Sequence, residues 1–319
     1  MIFPRALARA ALLASVLAVL LAGLVPASRA EAFDYRLKPQ AVADGVYVLT
    51  GLMQDFSRSN GGNIVNTGFI VGDSGVVVID SGPSRRYGEQ LRKAIASVTA
   101  LPVVLVINTH HHPDHFLGNQ AFGAHTLAAL APTRQGIESE GEAFNANMYR
   151  LNGDWMRDTE VTPPTRSLAP GVIEAGGRSL ELIALTGHTG ADLAVFDRRT
   201  GTLFAGDLVF HKRTPTTPHA DIARWQASLD TLAAVPFKVL VPGHGPVARD
   251  AAPIAQTRAW LAWLDRTLRE SAAGGLDMTE VLALPLPAVF ARLAVVNDEY
   301  PRSVSHLYPA VEQAVLEER

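Results

Sequence analysis

The chain has 319 residues, 48% of them hydrophobic and 18% charged, with a formal net charge of -3. That balance supports a sizeable apolar core and leaves no basic field or Lys/Arg run for nucleic acid or an anionic membrane surface. The absence of cysteine excludes disulfides, a lipid-modified cysteine anchor, thiolate metal ligation and a cysteine nucleophile, so any metal must be held by nitrogen and oxygen.

In chain order, Arg5 and Arg9 precede an apolar run from Ala10 to Val25, followed by Pro26 and the small-residue site Ser28, Arg29, Ala30. The pattern predicts a secretory signal over residues 1-30, cleaved near Ala30. The run is short for a bilayer span, so a periplasmic or secreted protein with no stable membrane anchor is expected. From Val42 to Asp80 the text reads as β-structure, with Val46, Val48, Phe69, Val71 and the run Val76 to Ile79, and a hairpin turn over Gly72, Asp73, Ser74 and Gly75. Residues 86–98 place Tyr87, Leu91, Ile95 and Val98 at helical spacing, and Val103 to Ile107 forms a short buried strand. A strand–helix–strand unit ending in polar residues places a site beyond the strand ends.

The stretch from Ala131 to Gly171, rich in polar residues, Pro, Gly and Asn, reads as a loop-rich insertion over that site. Strands are expected over residues 180–185, 193–196 and 202–205, with a hairpin turn from Asp197 to Gly201. Ile222, Trp225, Leu229 and Leu232 then share a helix face, Trp225 as packing, ahead of a buried strand from Val239 to Val241. The order resembles the first half, which suggests two α/β halves face to face. Residues 253–319 are mostly helical by pattern.

The chemistry is concentrated in Thr109-His110-His111-His112-Pro113-Asp114-His115, where four of seven residues are histidines in a chain with ten. Alternation in an extended segment points His110 and His112 the same way, and the following turn brings Asp114 and His115 round from another direction, so two adjacent metals can share the segment. His111 points away from its neighbours and is expected to support a ligand from behind or to pack, not to bind metal. Imidazole and carboxylate donors suit zinc, iron or manganese.

This segment matches the H-x-H-x-D-H signature of the metallo-β-lactamase fold superfamily, and the other motifs follow in family order: Asp80 in Ile79-Asp80-Ser81-Gly82, His188 in Thr186-Gly187-His188-Thr189-Gly190, Asp207 in Ala205-Gly206-Asp207, and His244 in Pro242-Gly243-His244-Gly245. The resemblance covers roughly residues 42–250. It implies an α/β, four-layer αββα sandwich over residues 31-250, with a helical C-terminal extension over 251-319 packed on it. It implies two zinc ions per chain, the first on His110, His112 and His188, the second on Asp114, His115 and His244, with Asp207 bridging, and a shared hydroxide as nucleophile. Asp114 would then orient the nucleophile and carry a proton, and Asp80 would fix ligand geometry through a hydrogen bond.

The implied reaction is hydrolysis of an ester, thioester, amide or lactam bond in a small molecule. The bridging aspartate makes the site similar to glyoxalase II and lactonase-like hydrolases more than to true β-lactamases. Gly61-Gly62-Asn63, Phe210-His211-Lys212-Arg213-Thr214-Pro215 and Asn297-Asp298-Glu299-Tyr300-Pro301-Arg302 resemble the quinoprotein relay system zinc metallohydrolases, which are associated with PQQ-dependent dehydrogenase systems. Alternatives are a β-lactamase-like or lactonase/glyoxalase II-like activity, an iron-dependent persulfide dioxygenase, and a non-catalytic metal or quinone-precursor binding protein. His211, Lys212 and Arg213 follow the bridging aspartate closely enough to meet an anionic substrate group, whereas His125, His219 and His306 carry no motif and are expected to be ordinary surface or helix-cap residues. The sequence leaves the substrate and the oligomeric state open.

Overall fold

In the computed structural model, residues 33–317 are described; the expected signal segment lies outside them. Twelve strands and seven helices are present among the described residues. Strands β1 (Gln40–Ala43), β2 (Val46–Leu49), β3 (Thr67–Val71), β4 (Val76–Ile79), β5 (Val103–Ile107), β6 (Leu127–Leu130) and β7 (Arg166–Leu168) form one sheet in sequential order. It is antiparallel from β1 to β4 and parallel from β4 to β7. The second sheet runs β12-β11-β10-β9-β8, built from β8 (Gly171–Ala175), β9 (Arg178–Leu185), β10 (Asp192–Asp197), β11 (Thr202–Phe210) and β12 (Val239–His244).

The two sheets face each other. One core cluster joins Val48, Ile70, Val77, Leu105 and Ile107 of the first sheet to Leu182, Leu193, Val195, Phe204 and Val241 of the second. The outer face of the second sheet, with Ala194, Phe196, Leu203 and Ala205, packs on α4 (Ile222–Ala233), α5 (Ala252–Gly274) and α7 (Val296–Glu317) through Trp225, Leu229, Trp260, Leu264, Tyr300 and Val304. Every residue of β10 and β11 is buried, as expected of central strands covered on both faces. On the first sheet, α1 (Arg85–Ala96) buries Tyr87, Leu91, Ala94 and Ile95, and the Tyr87 hydroxyl meets Thr67 Oγ1 of β3 at 2.9 Å. These layers make the αββα sandwich with a helical C-terminal region. The short α2 (Pro113–Phe116) and α6 (Met278–Leu282) complete the helices.

At one end the sheets are stapled by Arg178 of β9. Its guanidinium donates to Asp44 O at 2.7 Å, to Val71 O at 3.0 and 3.1 Å and to Asp197 Oδ2 at 3.2 Å, with both ionic side chains buried. The opposite end, beyond the carboxyl ends of β4, β5 and β11, carries the histidine motifs. No helix among the described residues is long and apolar enough to cross a membrane.

The segment expected to be a loop-rich insertion is instead mostly helical. Residues 131–152 form α3 (Ala131–Asn152), followed by a turn of 3-10 helix at Gly153–Met156 and by β7. Pro132 stands in its first turn, where a missing N–H costs nothing. Its buried face, Thr133, Ile137, Gly141, Met148 and Asn152, is small and half polar, so the helical period is faint in the sequence. Two interior glycines lower its propensity but permit close packing: a Cβ on Gly136 would press on the His111 ring, and one on Gly141 on Val161.

Candidate metal centre

β4 is followed by Asp80, a buried residue in the left-handed region with φ 58°. Its Oδ1 accepts from Thr109 N–H at 2.8 Å, and its Oδ2 from the Thr109 hydroxyl at 2.9 Å and from His115 Nδ1 at 2.8 Å. Two tautomers follow. His115 keeps a proton on Nδ1 for Asp80 and turns Nε2 inward, the nitrogen whose proton a metal would displace. Thr109 Oγ1, its own proton given to Asp80, accepts from His110 Nδ1 at 3.0 Å, which leaves His110 Nε2 free as well. His244 Nδ1 donates to Ile64 O at 2.8 Å, so its Nε2 also faces inward.

Asp207 is aimed by an irregularity in the β11–β12 ladder around Gly206, a disruption that redirects a side chain. Gly243 of β12 lies against it so closely that any Cβ would collide with the carboxylate. Gly187, with φ 133°, lets the turn before His188 pass over the Trp225 backbone. Asp192 holds that turn by accepting from His188 N–H at 3.1 Å and from the Thr189 N–H and hydroxyl.

The result is two clusters around one carboxylate. His110, His112, His188 and Asp207 bring one ligand atom each to within 4.8 Å of one another, as do Asp114, His115 and His244. His188 Nε2 lies 2.8 Å from His112 Nδ1 and 3.4 Å from Asp207 Oδ2, with His110 Nε2 4.0 Å from the same oxygen. On the other side His115 Nε2 is 3.2 Å from Asp207 Oδ1, and His244 Nε2 is 3.2 Å from Asp207 Oδ2 and 3.4 Å from Asp114 Oδ2. All seven residues are buried, and His110 Nε2, His115 Nε2 and Asp207 Oδ1 have no hydrogen-bond partner. Converging, unpartnered, buried nitrogen and oxygen donors fit divalent metal ions, because such atoms are otherwise costly to bury.

Charge follows the same division. Burial pushes His110 and His112 well below the ordinary histidine value and His188 to about 3, so these three are neutral imidazoles, the form a metal binds. Burial acts the same way on His115, but the carboxylates of Asp207, Asp80 and Asp114 outweigh it and hold this histidine well above its ordinary value. Asp207 is held well below the usual carboxylate range: burial opposes ionisation, and His244 and His115 overcome it.

A model of the Metallo-beta-lactamase superfamily matches residues 60–244. The chain belongs to that superfamily. Among curated members, a hydroxyacylglutathione hydrolase of Albidiferax ferrireducens is 29% identical over 164 residues, 50% of this chain and 53% of the relative. An acyl-coenzyme A thioesterase MBLAC2 of Gallus gallus is 27% identical over 215 residues, 57% of this chain and 73% of the relative. This superfamily member therefore spans about half the length of the first and nearly three quarters of the second. The solved metallo-beta-lactamase FIM-1 of Pseudomonas aeruginosa superposes with a TM-score of 0.57 at 18% identity, covering 71% of this chain and 95% of that one, and so shares its fold.

As in an enzyme cleft, the metal centre floors a cavity of about 430 Å³, with His112, Asp114, Asp207 and His244 at its base. Phe56 and Ile64, then Phe144, Asn147 and Arg150 of α3, line its sides, and Glu299, Arg302 and His306 of α7 close it. Of the three residues expected to meet an anionic group, only Arg213 lines the cavity. His211 Nδ1 is turned to Pro246 O at 2.7 Å and Lys212 is exposed, its N–H bound to Gln256. Arg213 faces buried Glu299 at 3.5 Å, and Arg302 bridges Glu299 at 2.6 Å and Asp55 at 2.7 Å. His219 and His306, given no role by the sequence, both line the cavity, His219 within 2.8 Å of His112. Neither sits in a motif. The long connection after β11 and the C-terminal helix bring them in. His111 packs beside Phe144 of α3, with Glu140 3.8 Å away. Trp225 is fully buried, its ring 5.1 Å from His188 and its N–H bound to Leu208 O.

Proposed function

We propose that the chain is a dinuclear zinc hydrolase that cleaves an ester, thioester, amide or lactam bond in a small molecule. The observation that carries this reading is the position of Asp207, one carboxylate facing the inward nitrogens of both histidine clusters at 3.2–4.0 Å. His110, His112 and His188 would hold one ion, Asp114, His115 and His244 the other, and Asp207 both. Two such ions, when bound, would supply a water with its pKa lowered toward about 7 and a Lewis acid for the scissile carbonyl.

The chain's own groups do the rest. Asp80 and Thr109 lock the His110 and His115 rings so that the lone pairs stay aimed inward. Asp114, buried but opening onto the cavity, is placed to orient the attacking water and to hold a proton for the departing atom. Phe56, Ile64 and Phe144 exclude bulk water from one side of the substrate. A thioester is the first bond to test, since the curated relatives include a hydroxyacylglutathione hydrolase and an acyl-coenzyme A thioesterase. The N-terminal pattern supports action after export, in the periplasm, and the resemblance of residues 210–215 and 297–302 to the quinoprotein relay group supports a link to PQQ-dependent dehydrogenases.

The test is turnover of a panel of thioesters, lactones and lactams by the zinc-loaded protein and by Asp207→Asn and His112→Ala. Hydrolysis that falls at least about 100-fold in both variants, with the fold retained, supports the reading. Wild-type activity in either would refute it, and oxygen consumption with a persulfide substrate would replace hydrolysis by sulfur oxidation.

A further inference from the structure

His112 differs from His110, His115 and His244 in what fixes its proton. His110 is set by Thr109, His115 by Asp80 and His244 by a carbonyl, whereas the nitrogen of His112 that points out of the cluster, Nε2, meets only another imidazole, His219 Nδ1, at 2.8 Å. A neutral imidazole has one N–H to place. On Nδ1 it would point at His188 Nε2, 2.8 Å away, and block the first cluster. On Nε2 it is donated to His219, and the Nδ1 lone pair then faces His188 Nε2, which can donate its own proton across the 2.8 Å in the metal-free fold and give it up to a cation.

His219 is held in place for this. It lies on the connection between β11 and α4, whose neighbouring residues are tied from two sides. Thr217 Oγ1 donates to Ser303 Oγ at 2.7 Å and Thr216 Oγ1 to Glu299 Oε1 at 2.8 Å, both on α7, while Asp221 N–H donates to Gly187 O at 2.9 Å, next to His188. The ring itself packs between His111, at 5.6 Å, and Phe144 of α3, at 6.2 Å.

We propose that His219, clamped by the C-terminal helix, is the positioning residue that selects the metal-binding tautomer of His112. The inference rests on the two-metal reading above. It gives α7 a function beyond packing, since its Glu299 and Ser303 fix the segment that supplies the acceptor.

The experiment is stepwise zinc titration of the metal-free full chain against a chromophoric chelator, for wild type, His219→Ala and His219→Asn. The Asn carboxamide oxygen falls near the position of Nδ1 and can accept the same hydrogen bond. His219 is exposed and outside the apolar core, and an unchanged circular dichroism spectrum of the metal-free variants checks that the fold is kept. One of the two zinc steps is expected to weaken about 10- to 100-fold in His219→Ala and to recover most of that loss in His219→Asn. In addition, His219→Ala should add nothing to the loss caused by His112→Ala. Three results would overturn the proposal: both steps unchanged in His219→Ala, equal loss in the Ala and Asn variants, or a third zinc in wild type that vanishes with His219, which would make it a ligand of a separate ion. Wild-type protein that takes up no zinc would overturn the two-metal reading itself, an outcome distinct from all three.

Discussion

Replacing Asp80 by Asn tests how the second cluster is aimed. The change is isosteric, and Asn tolerates the left-handed backbone of this position, φ 58°, as readily as Asp. Oδ1 keeps its bond from Thr109 N–H, so the amide NH2 must replace Oδ2, which now accepts from His115 Nδ1 at 2.8 Å. A donor at that point forces the His115 proton onto Nε2, the atom 3.2 Å from Asp207 and 3.7 Å from Asp114, where a metal needs a lone pair. Loss of such a supporting bond weakens metal binding about 10- to 100-fold, or roughly 1.4–2.8 kcal/mol. In a chelator-competition titration the Asp114–His115–His244 step should weaken by that factor, the other step should weaken as well because the Thr109 hydroxyl loses the acceptor that leaves its lone pair to His110, and hydrolysis should fall in parallel. Wild-type zinc affinity in both steps would refute the tautomer argument.

Proton linkage gives a second check. His115 is charged at neutral pH in the metal-free fold, whereas His110, His112 and His188 are neutral. Zinc uptake at pH 7 should therefore release roughly one proton, read by calorimetry in buffers of different ionisation enthalpy; no release would contradict the assignment. The signs also fix a stability profile. The raised His115 stabilises the fold fully below 6.5 and loses that contribution as pH climbs through its folded value, while the three lowered histidines destabilise as pH falls below 6.5. Metal-free stability should peak around that pH, and a monotonic rise in denaturation midpoint from pH 5 to 9 would be inconsistent with it. Away from the site, Arg178→Met leaves the Asp197 carboxyl buried without its ionic partner and unties the two sheets, and should cost about 3–5 kcal/mol by chemical denaturation. A loss under about 1 kcal/mol would mean the staple is inert.

The seven inward residues were legible because each sits in a short motif whose spacing is set locally, by strand alternation in His110–His112 and by glycine turns at His188, Asp207 and His244. The strands Val76–Ile79 and Val103–Ile107 were equally plain, being continuous apolar runs. α3 was not, since a helix that buries Thr133, Gly141 and Asn152 shows little apolar periodicity and draws its stability from tertiary packing. The cavity wall escaped for another reason. Glu299, Arg302 and His306 reach the site only because α7 folds back along it, and His219 reaches His112 across 107 positions of chain. Lys212 and His211 show the converse error: nearness in sequence to Asp207 did not survive the turn after β11, which carries Lys212 outward at φ 57°.

The most direct measurement is the metal content of the protein, purified without added metal, by elemental analysis alongside that of Asp207→Asn. About two zinc ions per chain in wild type, with content and hydrolytic activity both reduced in the variant, is the expected result. A single iron per chain, or no bound metal in a folded protein that still turns over, would contradict the account.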